Sequence, residues 1–134
     1  MIIRAAREDD IEWLAELLPF APTKDCGGVV AEGDNGRMGM IALDCWTPRA
    51  VQAHITIINA KALAPLKREV LDYLWKHGRR LLYAVTPSEN TRSLKLQLAV
   101  GMKERYRLKD AWDEGVDMVI TELPIHGKES TEST

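Results

Sequence analysis

Val51-Gln52-Ala53-His54-Ile55-Thr56-Ile57-Ile58 alternates apolar with polar side chains, whereas Leu81-Leu82-Tyr83-Ala84-Val85 is apolar throughout. The first stretch has the period of a strand with one greasier face, and the second is the run expected of a strand buried on both faces. Between them the period changes. Pro65 suits a first helical turn, Leu66, Val70, Leu71 and Leu74 form one stripe, and Gly78 after His77 is a natural terminator. Strand, helix and strand in that order predict a right-handed crossover, so the two strands should be parallel neighbours in one sheet.

Working outward, Asn90 is placed to cap a further helix carrying Leu94, Leu98 and Ala99 and ending at Gly101. Met102 to Leu108 and Val116 to Leu123, joined through Asp113-Glu114-Gly115, read as a closing antiparallel pair. On the other side, Val29 to Glu32 and Met38 to Leu43 flank Gly33-Asp34-Asn35-Gly36, a hairpin signal. Ile2 to Ala6 is a short strand, and Arg7-Glu8-Asp9-Asp10 starts a helix with the stripe Ile11, Leu14, Ala15 and Leu18, stopped by Pro19 and Pro22. The order β-α-β-β-β-α-β-α-β-β predicts an α/β protein with a mixed, largely antiparallel sheet in a single domain over residues 1–125. Residues 126–134 form a polar tail with little to bury, expected to be disordered.

The 134 residues are 46% hydrophobic and 28% charged, the balance of an ordinary globular domain and not of a collagen-like or low-complexity chain. No apolar run approaches the ~20 residues of a membrane span, and the charged N-terminus lacks a signal-peptide pattern, so a cytoplasmic protein is expected. Cys26 and Cys45, without a CxxC pair, suit free thiols rather than a disulfide scaffold or zinc site. The net charge of −2 hides three blocks: −5 over residues 1–48, +9 over 49–109 and −6 over 110–134. A basic middle favours an anionic partner, a phosphorylated cofactor before nucleic acid, unless the blocks neutralise one another in the fold.

Val85, Asn90, Ser93, Leu96, Gly101 and Met102 follow the strand, Asn, small residue, Leu and Gly-Phe pattern of the GCN5-related N-acetyltransferase (GNAT) family, with Met102 in the usual Phe place. Arg105, Arg107 and Asp110 to Val119 are similar to its closing hairpin. The chain resembles that family over residues 2 to about 123, and short phage-type members in particular. The resemblance implies acetyl-CoA in a cleft where the fourth and fifth strands splay, with the main chain of Gln52 to Ile58, Ile57 and Ile58 included, pairing with the pantetheine arm. It also implies direct transfer of acetyl to an amine of a protein or small molecule.

Two features depart from the family pattern. The diphosphate loop of the family is glycine-rich, whereas Asn59-Ala60-Lys61-Ala62-Leu63-Ala64-Pro65 has no glycine, and Pro65 removes one donor. Alanines such as Ala62 and Ala64 are small, and Lys61, Lys67 and Arg68 could supply charge in place of amides. Asn90 and Ser93 complete the implied cofactor side. The family's acid-catalytic Tyr falls on Gln97, whose amide is no general acid. Tyr83 and Tyr106 are the phenols that could substitute, although a packed aromatic is the simpler role for each. His54 is the one imidazole on an expected strand; an ordinary imidazole pKa of ~6.5 suits a general base, and a structural histidine is the plainer alternative.

No Gly-x-Ser-x-Gly elbow surrounds Ser88 or Ser93, which leaves a serine hydrolase without a foothold. Asp9-Asp10 and Asp113-Glu114 are adjacent acids that suit a helix start and a turn better than a dyad. Four tryptophans suggest core packing, with Trp46 and Trp112, near loops, best placed for an exposed contact surface. Two functions are therefore expected to compete: an acetyl-CoA-dependent N-acetyltransferase, and a catalytically degenerate GNAT-like module that binds a protein partner.

Overall fold

The computed structural model describes residues 1–18 and 20–127. Its elements run β1 (Ile2–Ala5), α1 (Glu8–Leu17), β2 (Gly27–Gly33), β3 (Gly36–Asp44), β4 (Ala50–Ile57), a single 3₁₀ turn (Ala60–Ala62), α2 (Leu63–Lys76), β5 (Leu81–Pro87), α3 (Thr91–Val100), β6 (Lys103–Asp113) and β7 (Val116–Pro124). The seven strands form one sheet in the order β1-β2-β3-β4-β5-β7-β6. β4 and β5 pair in parallel, and every other neighbouring pair is antiparallel. The expected tail falls partly on residues 128–134, outside the described residues. Within the described residues, Gly127 lies against the Trp75 ring.

The crossover stripe does what its spacing requires: Leu66, Val70, Leu71 and Leu74 are the buried residues of α2. They pack on Val51, Ala53 and Ile55 of β4, Leu82 and Ala84 of β5, and Ile41 and Leu43 of β3. Each Leu, Ile or Val among them contributes about 1.5–3 kcal/mol on burial, so this face is the main core. On the opposite face α1 lays Leu14 over Val30, Met40 and Ala42, a smaller cluster covering only β2 and β3. The α1 side of β5, β7 and β6 therefore carries no helix.

β6 runs five residues beyond the expected Leu108, through a register shift that includes Asp110 at φ 54. All eleven of its residues are exposed, so no buried face imposed an apolar alternation that would mark its end. The tryptophans also differ from a core role, since none is fully buried. Trp13, Trp46 and Trp75 each carry a guanidinium on the ring, from Arg37, Arg79 and Arg80 at 5.0, 5.1 and 3.6 Å. Half-buried indoles roofed by arginine keep one face dry without entering the core.

Gly28 on β2 has φ 150, and a Cβ there would drive into the Ile41 carbonyl oxygen of the paired strand. Gly28→Ala is expected to destabilise the fold by at least about 2 kcal/mol, read as a lower urea midpoint at constant m-value.

Candidate functional site

The β4–β5 ladder is short. It holds Ala50 opposite Leu81, Val51 opposite Leu82 and Gln52 opposite Tyr83, and then stops. β4 continues against β3 as far as Ile57 opposite Gly39, and β5 continues against β7 as far as Pro87 opposite Met118. Each strand follows its outer neighbour, so the two diverge after Gln52 and Tyr83. A cleft of about 140 Å³ opens between them. On the α3 side it is bounded by Asn90, Ser93 and Gln97, and on the α1 side by Leu18, Phe20 and Trp112. His54, Ile55, Val85 and Pro87 form its walls.

His54 is the chemically distinctive group in the lining. Its Nε2 lies 2.8 Å from Asp44 Oδ1, and the side chains of the pair are 12% and 3% exposed. Phe20 stacks on the imidazole with ring centroids 4.1 Å apart. Asp44 ends β3 opposite Gln52, which places its carboxylate diagonally across from His54 on the same sheet face. A carboxylate on Nε2 fixes the tautomer with the proton there and leaves Nδ1 to accept one. Nδ1 has no protein partner among the described residues, and no buried side-chain nitrogen or oxygen there lacks one, so Nδ1 is open to solvent.

Gln97 is buried and fully engaged. Its Nε2 donates to Thr86 Oγ1 at 2.7 Å, and Thr121 Oγ1 donates to its Oε1 at 2.7 Å. It ties α3 to β5 and β7 with no free polar atom to offer a substrate. Tyr83 lies at the last paired position, before the strands part, and is not in the cleft lining. Burial raises its phenol pKa, with the Cys45 and Asp44 charges adding to it. Tyr106 is 57% exposed on β6. No phenol lines the cleft. Burial, followed by the negative charges of Asp44 and Asp25, pushes the Cys26 thiol up to about 11, and Cys45 is also raised, so neither free thiol is poised as a nucleophile.

The cofactor-side residues divide into two sets. Asn90 caps α3 by accepting from Ser93 N at 3.2 Å, holding both residues at the cleft edge. Beyond β4, Ile58 N and Asn59 N both donate to Met38 O, at 2.8 and 3.0 Å. Lys61 N donates to Asn59 Oδ1, Ala62 N to Asn59 O and Leu63 N to Ala60 O. The loop closes on itself as a 3₁₀ turn that engages the amides of Lys61, Ala62 and Leu63, three of those a glycine-rich loop would aim at a diphosphate. Ala62 is fully buried, while Ala64 is exposed and precedes Pro65. Lys61 and Arg68 are exposed, and Lys67 reaches Gly101 at the C-terminal end of α3, where a cation suits the helix dipole. None of the three forms an ion pair among the described residues. Asn90 and Ser93 at the open cleft edge could flank an acyl-pantetheine arm, whereas a diphosphate would depend on side-chain charge from Lys61, Lys67 and Arg68 more than on a glycine-rich amide cradle.

The sequence singles out His54 as the lone strand imidazole, and the structure puts it in the cleft lining; Asp44 carries no such mark, although counting the β3–β4 hairpin outward from its Thr47-Pro48 turn would place Asp44 near His54. Among the described residues no group of three or more His, Cys, Asp or Glu could hold a metal, and no helix is long and apolar enough to cross a membrane.

No family sequence model and no curated protein matches the chain. Solved structures do. A GNAT-family acetyltransferase candidate from Desulfovibrio desulfuricans superposes with TM-score 0.71 at 17% identity, covering 93% of this chain and 99% of that one. Spermidine/spermine N-acetyltransferase SpeG from Vibrio cholerae matches with TM-score 0.71 at 17% identity, over 99% of both chains. An acetyltransferase candidate from Salmonella typhimurium, yncA, solved with its cofactor acetyl-CoA, matches with TM-score 0.66 at 14% identity, over 95% of both. The splayed β4–β5 pair, the α2 crossover and these superpositions agree that the chain has the fold of the GCN5-related N-acetyltransferases.

Proposed function

We propose that this chain is a GNAT-type N-acyltransferase that passes acetyl from acetyl-CoA to an amine, with His54 as general base and Asp44 as the residue that positions it. The observation that carries this reading is His54 lining the cleft where β4 and β5 part, with Asp44 held on its Nε2 from behind. The cleft is bounded by residues from α3 on one side of the sheet and from the α1 side on the other, so two reactants can meet within the sheet. Acetyl-CoA supplies the activated thioester carbonyl. His54 Nδ1 takes a proton from the acceptor ammonium and leaves the neutral amine as nucleophile, while Asp44 holds the Nε2 proton and stabilises the imidazolium. Phe20 fixes the plane of the ring. No group in the lining is suited to donate a proton at neutral pH other than that imidazolium.

The self-closed loop sets the expected affinity. Calorimetric titration should give a dissociation constant in the high-micromolar range or weaker, roughly −5 to −6 kcal/mol. Lys61→Glu should weaken it severalfold by reversing a charge at the loop. Submicromolar binding would show that the amide cradle is dispensable. The same loop favours a second reading, a partner-binding module with a disused cofactor cleft, which replaces the first if no binding is detected at millimolar acetyl-CoA.

A further inference from the structure

We infer that the acceptor carries its amine on an apolar body and is not a polyamine, an inference that rests on the acyltransferase reading. The acceptor-side mouth is built from Leu18, Phe20, Val85, Pro87 and Trp112 around His54. Among the described residues the cleft lining contains no Asp or Glu. The carboxylate behind it, Asp44, is 2% exposed and already held by His54. A second ammonium drawn inside this lining would lose water and meet no carboxylate there, an uncompensated cost that a single amine handing its proton to His54 avoids.

The apolar wall also continues out of the cleft. Cross-strand pairing sets Val85 beside Ile120 and Ile120 beside Tyr106; it sets Pro87 beside Met118 and Met118 beside Leu108. Among the described residues no helix covers these rows on the α1 side, and Tyr106 and Leu108 are 57% and 48% exposed. Trp112 is the tryptophan without an arginine on its ring and is 39% exposed at the rim. A planar or alkyl body can therefore lie against Trp112 and Phe20 and extend along the Val85 and Pro87 rows with its amine at His54. The cleft volume of about 140 Å³ suits a group the size of an aromatic side chain.

The test compares 2-phenylethylamine and hexylamine with spermidine and 1,4-diaminobutane, following thiol release from acetyl-CoA, and separately titrates each amine into the protein without cofactor. Both monoamines should exceed spermidine in kcat/KM by about tenfold or more, and Trp112→Ala should bring the ratio toward one. Circular dichroism of that variant should match wild type, because the residue lies on an exposed hairpin. Thiol release with spermidine equal to or better than with 2-phenylethylamine would overturn the inference and leave the acyltransferase reading standing. Saturable binding of 2-phenylethylamine that is lost in Trp112→Ala, with no thiol released for any amine, would sink the acyltransferase reading and leave the apolar amine site.

Discussion

Replacing His54 with glutamine should lower kcat for acetyl transfer by about 10²- to 10⁴-fold while the dissociation constant for acetyl-CoA stays within about twofold. Glutamine keeps a polar side chain of similar reach in a strand that pairs through its main chain, so the sheet should survive the change. It offers no group that can take a proton from an ammonium. Added imidazole should restore part of the rate in His54→Ala, where the ring's space is vacant beneath Phe20. A variant that retains more than half of wild-type kcat would show that the histidine is structural.

Asp44→Asn separates holding the ring from being the base. An amide in place of the carboxylate can present either its oxygen or its NH₂ to Nε2, so the tautomer is no longer fixed and the imidazolium loses its counter-charge. We expect kcat to fall by about tenfold or more with the acceptor KM little changed, and the ¹⁵N shifts of the His54 ring to report a mixed tautomer. Unchanged ring shifts would remove Asp44 from the mechanism.

The long-range plan of this fold is written in local periods. The two-residue alternation at Val51–Ile57, the helical stripe from Leu66 to Leu74 and the apolar run at Leu81–Val85 each describe burial on a regular element, and burial decides where the crossover packs. Asn90 and Gly101 bracket α3 because a cap and a left-handed terminus are set by single residues. Contacts between side chains on different elements have no such signature. Asp44 meets His54 because the β3–β4 register puts them on one face, and Gln97 meets Thr86 and Thr121 because α3 crosses two strands. The loop after β4 is legible in composition as glycine-free, yet its consequence comes from hydrogen bonding: Met38 and Asn59 accept from the amides of Ile58, Asn59, Lys61 and Ala62.

Asp10 is the sharpest case of a local reading overtaken by tertiary structure, and its removal should have the largest effect on stability. As an acid in the first turn of α1 it fits a helix start, and it does accept from Arg7 N at 2.8 Å. Its side chain is nevertheless completely buried, between Arg4 of β1 at 2.6 and 3.0 Å and Arg37 Nε of β3 at 2.8 Å. One buried carboxylate thus bridges two guanidiniums, whose outer partners are Glu32 and Asp9, and fastens α1 to both strands. Asp10→Asn would remove the one buried counter-charge shared by the two cations, leaving Arg4 only the half-exposed Glu32 at 2.7 Å and Arg37 only the exposed Asp9 at 3.3 Å, at a cost of about 3 kcal/mol at neutral pH. The melting temperature should fall by roughly 10 °C or more. The Arg4 hydrogen bonds hold the Asp10 carboxyl well below the usual carboxylate range, with burial opposing them and the Arg7 amide and Arg37 assisting. The folded state therefore binds this proton less readily than the unfolded chain, whose value is ~3.9. The stabilisation is fully present above that value and declines as the pH falls below about 4, with a slope approaching ~1.4 kcal/mol per pH unit. The asparagine variant has no proton to bind, so the stability gap between the two proteins should narrow steadily from about pH 4 downward. A gap that stays constant to pH 2.5 in urea titrations would show that the carboxylate charge is not what holds α1 in place.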